Sequence, residues 1–145
     1  MWLALIHGAN GVIYFIDSWN PSFREDAIFE NAAMVTAVTA LNQQIESLAP
    51  VINSSSIASL VSVSSSVEVD LMAKASGTSL YVFAAIARAG ATSATFTVAG
   101  LTGNATAEVV GENRTVPVTA GAFTDAFAAN DAHVYEIDLS TVTCP

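Results

Sequence analysis

The chain has 145 residues, 52% of them hydrophobic and only 12% charged, which is enough apolar material for a real core and excludes a disordered chain. Its 13 acids outnumber its 4 bases and leave a net charge of −9. The bases, Arg24, Lys74, Arg88 and Arg114, form no cluster, so a phosphate backbone or an anionic membrane surface would be repelled; this argues against nucleic acid and membrane as partners.

Met1 to Ala9 reads as the end of a helix, with Trp2, Leu5 and Ile6 on one face and Gly8 and Gly11 bracketing its stop. His7, Gly8, Asn10 and Gly11 interrupt this apolar start, which falls short of the ~20 residues that span a bilayer. It also lacks the basic region of a signal peptide, so an exported form would carry its signal upstream. Gly11 to Ile16 is a continuous apolar run of β-branched and aromatic residues without alternation. It predicts a strand buried on both faces, as in a parallel sheet covered by helices.

Asp17 to Glu30 is a polar loop containing Pro21. Asn31 can cap the next helix, in which Met34, Val38, Leu41, Ile45 and Leu48 form one apolar stripe before Pro50 stops it. Residues 1–49 thus read helix, strand, loop, helix: a piece of a βα repeat, too little to close a parallel sheet alone.

Asn53 to Ser56 reads as a short linker, and the pattern beyond it is all β. Candidate strands are Ile57–Val63, Val67–Ala75, Leu80–Arg88, Ala94–Val98, Ala107–Gly111, Thr115–Thr119, Ala122–Phe127 and His133–Leu139. Turn residues such as Ser76-Gly77, Ala89-Gly90, Glu112-Asn113 and Ala120-Gly121 separate them. The expected fold class is therefore mainly β, an antiparallel sandwich of about eight strands, preceded by the helix–strand–helix segment. The expected division is residues 1–52 and residues 53–145.

The order of these pieces resembles the C-terminal part of retaining glycoside hydrolases. Trp2 to Phe15 reads W-L-A-L-I-H-G-A-N-G-V-I-Y-F. It is similar to a pattern of the type W-x-A-L-x-x-G-A-x-G-[IV]-x-[YF]-[FW] at the penultimate helix and last strand of their (β/α)8 barrel. The helix through Leu41 to Ile52 resembles the last barrel helix, which leads into a C-terminal β-sandwich. Ala122 to Phe127 (A-F-T-D-A-F) and Ala132 to Ile137 (A-H-V-Y-E-I) resemble the final two strands of that sandwich. The resemblance implies a secreted, extracellular protein acting on a polysaccharide or oligosaccharide. Three N-x-S/T sequons, at Asn53, Asn104 and Asn113, fit secretion.

Such barrels carry their active site at the C-terminal strand ends. Retaining enzymes use two carboxylates about 5–5.5 Å apart. In the resembled families those glutamates end strands four and seven, and neither has a counterpart here. The resemblance therefore implies a non-catalytic region that supports the barrel and contacts glycan, with no catalytic residue, metal or cofactor of its own, inactive alone although its parent would be a retaining glycosidase. Its partners would be the glycan and the missing N-terminal barrel, or a second copy through residues 1–50. Two alternatives remain at this point: a free-standing carbohydrate-binding module, and a self-assembling extracellular structural protein.

Two residues are the candidate substrate contacts. Trp19 follows the expected last strand, where the resemblance implies an aromatic stacking on a sugar ring; Asp17 would hold a sugar hydroxyl or cap the loop. Asp17, Glu25, Asp26 and Glu30 share a charge-rich loop, which is more simply a solvated one than a catalytic pair. His7 and His133 lack a third ligand at metal spacing. Glu68, Asp70, Glu136 and Asp138 are expected to face solvent. Tyr81, Phe83, Phe96, Phe123, Phe127 and Tyr135 are expected to pack the core rather than form a sugar platform, since no Trp follows Trp19. Cys144 is the only cysteine, so it pairs with another chain or stays a free thiol.

Overall fold

Strands that alternate apolar and polar residues offer one face to a core and one to water. The computed structural model describes residues 1–140 and forms eight such strands. They are β1 (Val61–Ser64), β2 (Asp70–Ser76), β3 (Ser79–Ala85), β4 (Thr92–Val98), β5 (Ala105–Val109), β6 (Arg114–Val118), β7 (Ala122–Phe127) and β8 (Ala132–Asp138). Strands β1-β4-β7 make one antiparallel sheet and β2-β3-β8-β5-β6 the other. The chain is thus mainly β and fits the expected eight-stranded sandwich. β1 begins at Val61 rather than Ile57, because Ala58–Leu60 wind into a short 3-10 turn. Cys144 lies outside the described residues.

Among the described residues only β2–β3 and β5–β6 are hairpins, and the other strand connections cross from one sheet to the other. The β6–β7 crossing shows what such a connection demands. Ala120 and Gly121 both take positive φ, 48° and 76°, and a Cβ on Gly121 would lie 2.0 Å from the Leu101 carbonyl oxygen. Glycine is required there by contact as well as by backbone conformation.

The core between the sheets gathers Leu80, Val82, Phe96, Val109, Val118, Phe123, Phe127, Tyr135 and Ile137. Phe96 stacks on Phe123 with ring centroids 4.8 Å apart and leans on Tyr135 at 5.4 Å. These aromatics are core residues, and none is free to form a platform for sugar. Tyr81 and Phe83 point the other way, into a second apolar cluster on the outer face of the five-stranded sheet.

That outer face is covered by two helices, α1 (Trp2–Ile6) and α2 (Ala32–Ile52). Trp2 and Leu5 of α1 and Leu48 and Val51 of α2 pack on Phe83, Ala85 and Val134. Trp2 meets the Phe83 ring at 5.7 Å. Strand β3 is therefore buried on both faces, whereas β5 and β6, beyond the helices, alternate between core and water.

Four sequence expectations are corrected here. The run Gly11 to Ile16 forms no strand: it is extended, and among the described residues it finds no partner strand. A strand needs a neighbour for its N–H and C=O groups, and among the described residues neither sheet pairs with this run. Pro50 does not stop α2, which runs on to Ile52. Proline removes a single bond there, and the Asn53 N–H still reaches the Ala49 carbonyl. The stripe on α2 is used only in its C-terminal half; Met34 is exposed because the sheet ends before it. Finally, residues 53–56 are a tie rather than a loose linker. The buried Lys74 ammonium of β2 donates to the Ser54 carbonyl at 2.8 Å, at the negative end of α2. The Asn31 cap is as expected, its Oδ1 accepting from the Met34 N–H at 3.0 Å.

Candidate functional site

Downstream of the extended run the chain doubles back. Ser18 and Arg24 form a two-hydrogen-bond bridge, at 3.0 and 2.9 Å, and close a small loop through a cis Asn20–Pro21 bond. The bridge brings Trp19 and Phe23 together, with ring centroids 4.6 Å apart and planes tilted by 43°. Trp19 is 71% exposed and Phe23 is also open to solvent. Two partly exposed aromatic rings on a loop closed by this bridge offer apolar surface to a ligand. Phe23 was not singled out from sequence, although an aromatic four positions past Trp19, across Pro21, was the available signal.

Asp17 is half-buried, and among the described residues its carboxylate caps no backbone group and pairs with no cation. Of the two roles expected for it, loop capping is not what the structure shows. Glu30 is engaged by Arg24, while Glu25 and Asp26 are exposed. No carboxylate pair poised for acid–base chemistry is assembled in this loop.

Between the extended run, α1, α2 and β2 lies a cleft of about 540 Å3. Its walls include Leu5, Val12, Tyr14, Ile45, Leu71 and Lys74. Tyr14 crosses its mouth and donates to Asn42 Oδ1 at 2.6 Å, pinning the run to α2. The cleft is the space left where the run stands off the sheet.

A dense polar cluster links the two sheets. Arg114 of β6 grips Asp125 of β7 with both terminal nitrogens, at 3.0 and 2.8 Å, and donates through Nε to Glu112 at 2.8 Å. Tyr135 donates to the second Asp125 oxygen at 2.9 Å, and Glu112 meets His133 Nδ1 at 2.5 Å. Burial works against ionising Asp125. Hydrogen bonds from Arg114, Tyr135 and the Ala126 N–H outweigh it and hold the carboxyl below its ordinary value. Burial, then the Asp125 charge, pushes the Tyr135 phenol far up. The hydrogen bond to Asp125 likewise raises Arg114.

This constellation resembles catalytic machinery in composition but not in access. His133 is only 8% exposed, and its ring is shielded by Phe127. Arg114, Asp125 and Glu112 are all engaged by one another or by His133 and Tyr135, while the buried His133 Nε2 has no hydrogen-bond partner and lies 3.4 Å from Asp131, so the cluster works as a clasp joining β6 of one sheet to β7 of the other. Glu136, expected in solvent, accepts from Ser79 at 2.9 Å, and burial with that carboxylate pushes Tyr81 up to about 12. Asp70 meets His7 at 3.3 Å.

Among the described residues no group of three His, Cys, Asp or Glu side chains is placed to hold a metal ion, and no helix is long and apolar enough to cross a membrane. No protein-family model, curated protein or solved structure matches the chain.

Proposed function

We propose that this chain is the non-catalytic C-terminal region of a secreted glycoside hydrolase, a terminal βα unit of its barrel joined to a β-sandwich that braces it. One observation carries the reading, the exposure along the extended run: Val12 39%, Ile13 97%, Tyr14 37% and Phe15 74%. Val12 and Tyr14 turn toward α1 and α2 and line the cleft, while Ile13 and Phe15 turn away from them. A period of two, with helices on one side and, among the described residues, no strand beside it, supports reading the run as a barrel strand apart from its neighbours. The sandwich supports the helices from behind through Phe83 and Val134. In the parent enzyme the Trp19–Phe23 pair, just past this strand, would stack on sugar at the rim of the cleft, with Asp17 beside it to accept from a hydroxyl.

Retention of the chain on insoluble and soluble β-glucans, mannans, xylans and galactans tests this, with reducing sugar assayed in the same tubes. The expected result is retention on one glycan class, lost in Trp19→Ala, with no sugar released. Sugar release would overturn the non-catalytic reading, and retention unchanged in Trp19→Ala would overturn the role of the aromatic loop.

A second reading rests on the same uncovered surface. Ile13, Phe15, Trp19, Phe23, Phe29 and Met34 are all exposed, apolar side chains that a partner surface would cover. In a self-assembling extracellular protein a second copy would cover it, and light scattering across a concentration series would reveal the oligomer.

A further inference from the structure

We infer that Asn104 and Asn113 are sites of N-linked glycosylation and that Asn53, the third sequon, is left bare. The inference uses only the secretory route of the proposed function, not its glycan chemistry. The three sequons look alike in sequence, and their placement separates them. Asn113 lies at the tip of the β5–β6 hairpin in the left-handed region, φ 52°, with its side chain exposed. The Arg114–Glu112 contact closes the turn beneath it. Asn104 lies just before β5 at the opposite end of the same hairpin. Its Oδ1 accepts from the Ala120 N–H at 3.3 Å, which leaves Nδ2, the atom that is modified, directed away from that contact. The sequon hydroxyls, Thr106 and Thr115, both stand on the solvent face of β5 and β6, outside the area that α1 and α2 cover.

Asn53 is exposed as well, but its setting differs. It is the C-terminal cap of α2, with helical φ and ψ of −83° and −3°, and it lines the cleft between the helices and the sandwich. Ser54, the middle residue of that sequon, is tied on both sides: its hydroxyl donates to the Val51 carbonyl and its own carbonyl accepts from Lys74. A glycan there would sit in the joint that holds the helix layer to the sheet.

The pair of sites has a physical rationale. Among the described residues β6 is the edge of the five-stranded sheet and pairs only with β5. Pro117 removes one of its outward donors, and glycans at both ends of the hairpin fence the remainder against pairing with another chain. The modification is a group transfer from a polyprenyl-diphosphate-linked oligosaccharide. The amide Nδ2 forms a bond to the anomeric carbon, the bond from that carbon to the diphosphate oxygen breaks, the diphosphate leaves with the electron pair, and the nitrogen gives up one proton.

The chain, given a secretion leader and expressed through a eukaryotic secretory pathway, tests the assignment whether or not it is a hydrolase fragment. Peptide mass spectrometry after enzymatic glycan release, which converts each modified Asn to Asp, reads occupancy on the unmutated protein. Conversion at Asn104 and Asn113 but not Asn53 is expected, and Asn104→Gln and Asn113→Gln should each remove one glycan from the intact mass. An unmodified secreted chain, conversion at Asn53, or an empty Asn104 or Asn113 would each overturn it.

Discussion

Two stretches of this chain carry nearly the same message. Gly11 to Ile16 and Leu80 to Ile86 are both continuous apolar runs without alternation, and both ask for cover on two faces. The second obtains it. Val82 and Ala84 face the sandwich core, Phe83 and Ala85 face α1 and α2, and all four are buried. The first has helices on one side and solvent on the other, with no strand beside it among the described residues. An apolar run therefore states a demand, and the neighbours that meet the demand lie elsewhere in the chain or outside it.

The sharpest way to break this comparison is to delete one aromatic ring from each run. Phe83→Ala should cost about 3–5 kcal/mol in urea denaturation, because it empties a site closed on every side. Phe15→Ala should stay within about 0.5 kcal/mol, since Phe15 is mostly in water. Equal losses would mean that the run at 11–16 is covered in solution.

The next effect tests the clasp between the two sheets. Arg114→Met leaves Asp125 buried without its cation and should cost about 2 kcal/mol. The same contact makes a pH prediction. The folded Asp125 carboxyl lies below its ordinary value of 3.8, so its contribution is complete above that value and is lost as pH falls through the lower folded one. Stability in the unmodified chain should decline over that acidic range, and Asp125→Asn should flatten the decline.

A smaller change separates the cover from what it covers. Lys74→Met removes the donor at the end of α2 and should cost about 1 kcal/mol. Hydrogen exchange should quicken in α2 and β2 and not in β4 or β7; uniform quickening would mean that helices and sandwich unfold as one unit. The smallest expected change in stability accompanies Ile13→Ser, within about 0.5 kcal/mol. Its readout is the mass in light scattering, which should fall toward monomer if that face joins two copies.

The sandwich was largely legible because its signals are local. In β4 the side chains from Thr92 to Val98 alternate between core and water as their sequence suggests. Turn pairs such as Ala120-Gly121 sit where the backbone needs positive φ. The candidate site was legible in part. Trp19 stood out as an isolated tryptophan in a polar loop, but its pairing with Phe23 depends on the Ser18–Arg24 bridge, a contact that spacing does not reveal. The Arg114–Asp125 clasp was missed for the same reason, since it joins strands of different sheets.

The sequence by itself determined the eight strands, the Asn31 cap and the inward residues of the sandwich, because a period of two or of 3.6 is written in adjacent side chains and acts within a few residues. Only the tertiary structure decided which apolar face would be covered, which proline α2 would tolerate and which polar groups would meet. Those outcomes depend on what else lies within a few ångströms, and burial is a property of the neighbours as much as of the residue itself.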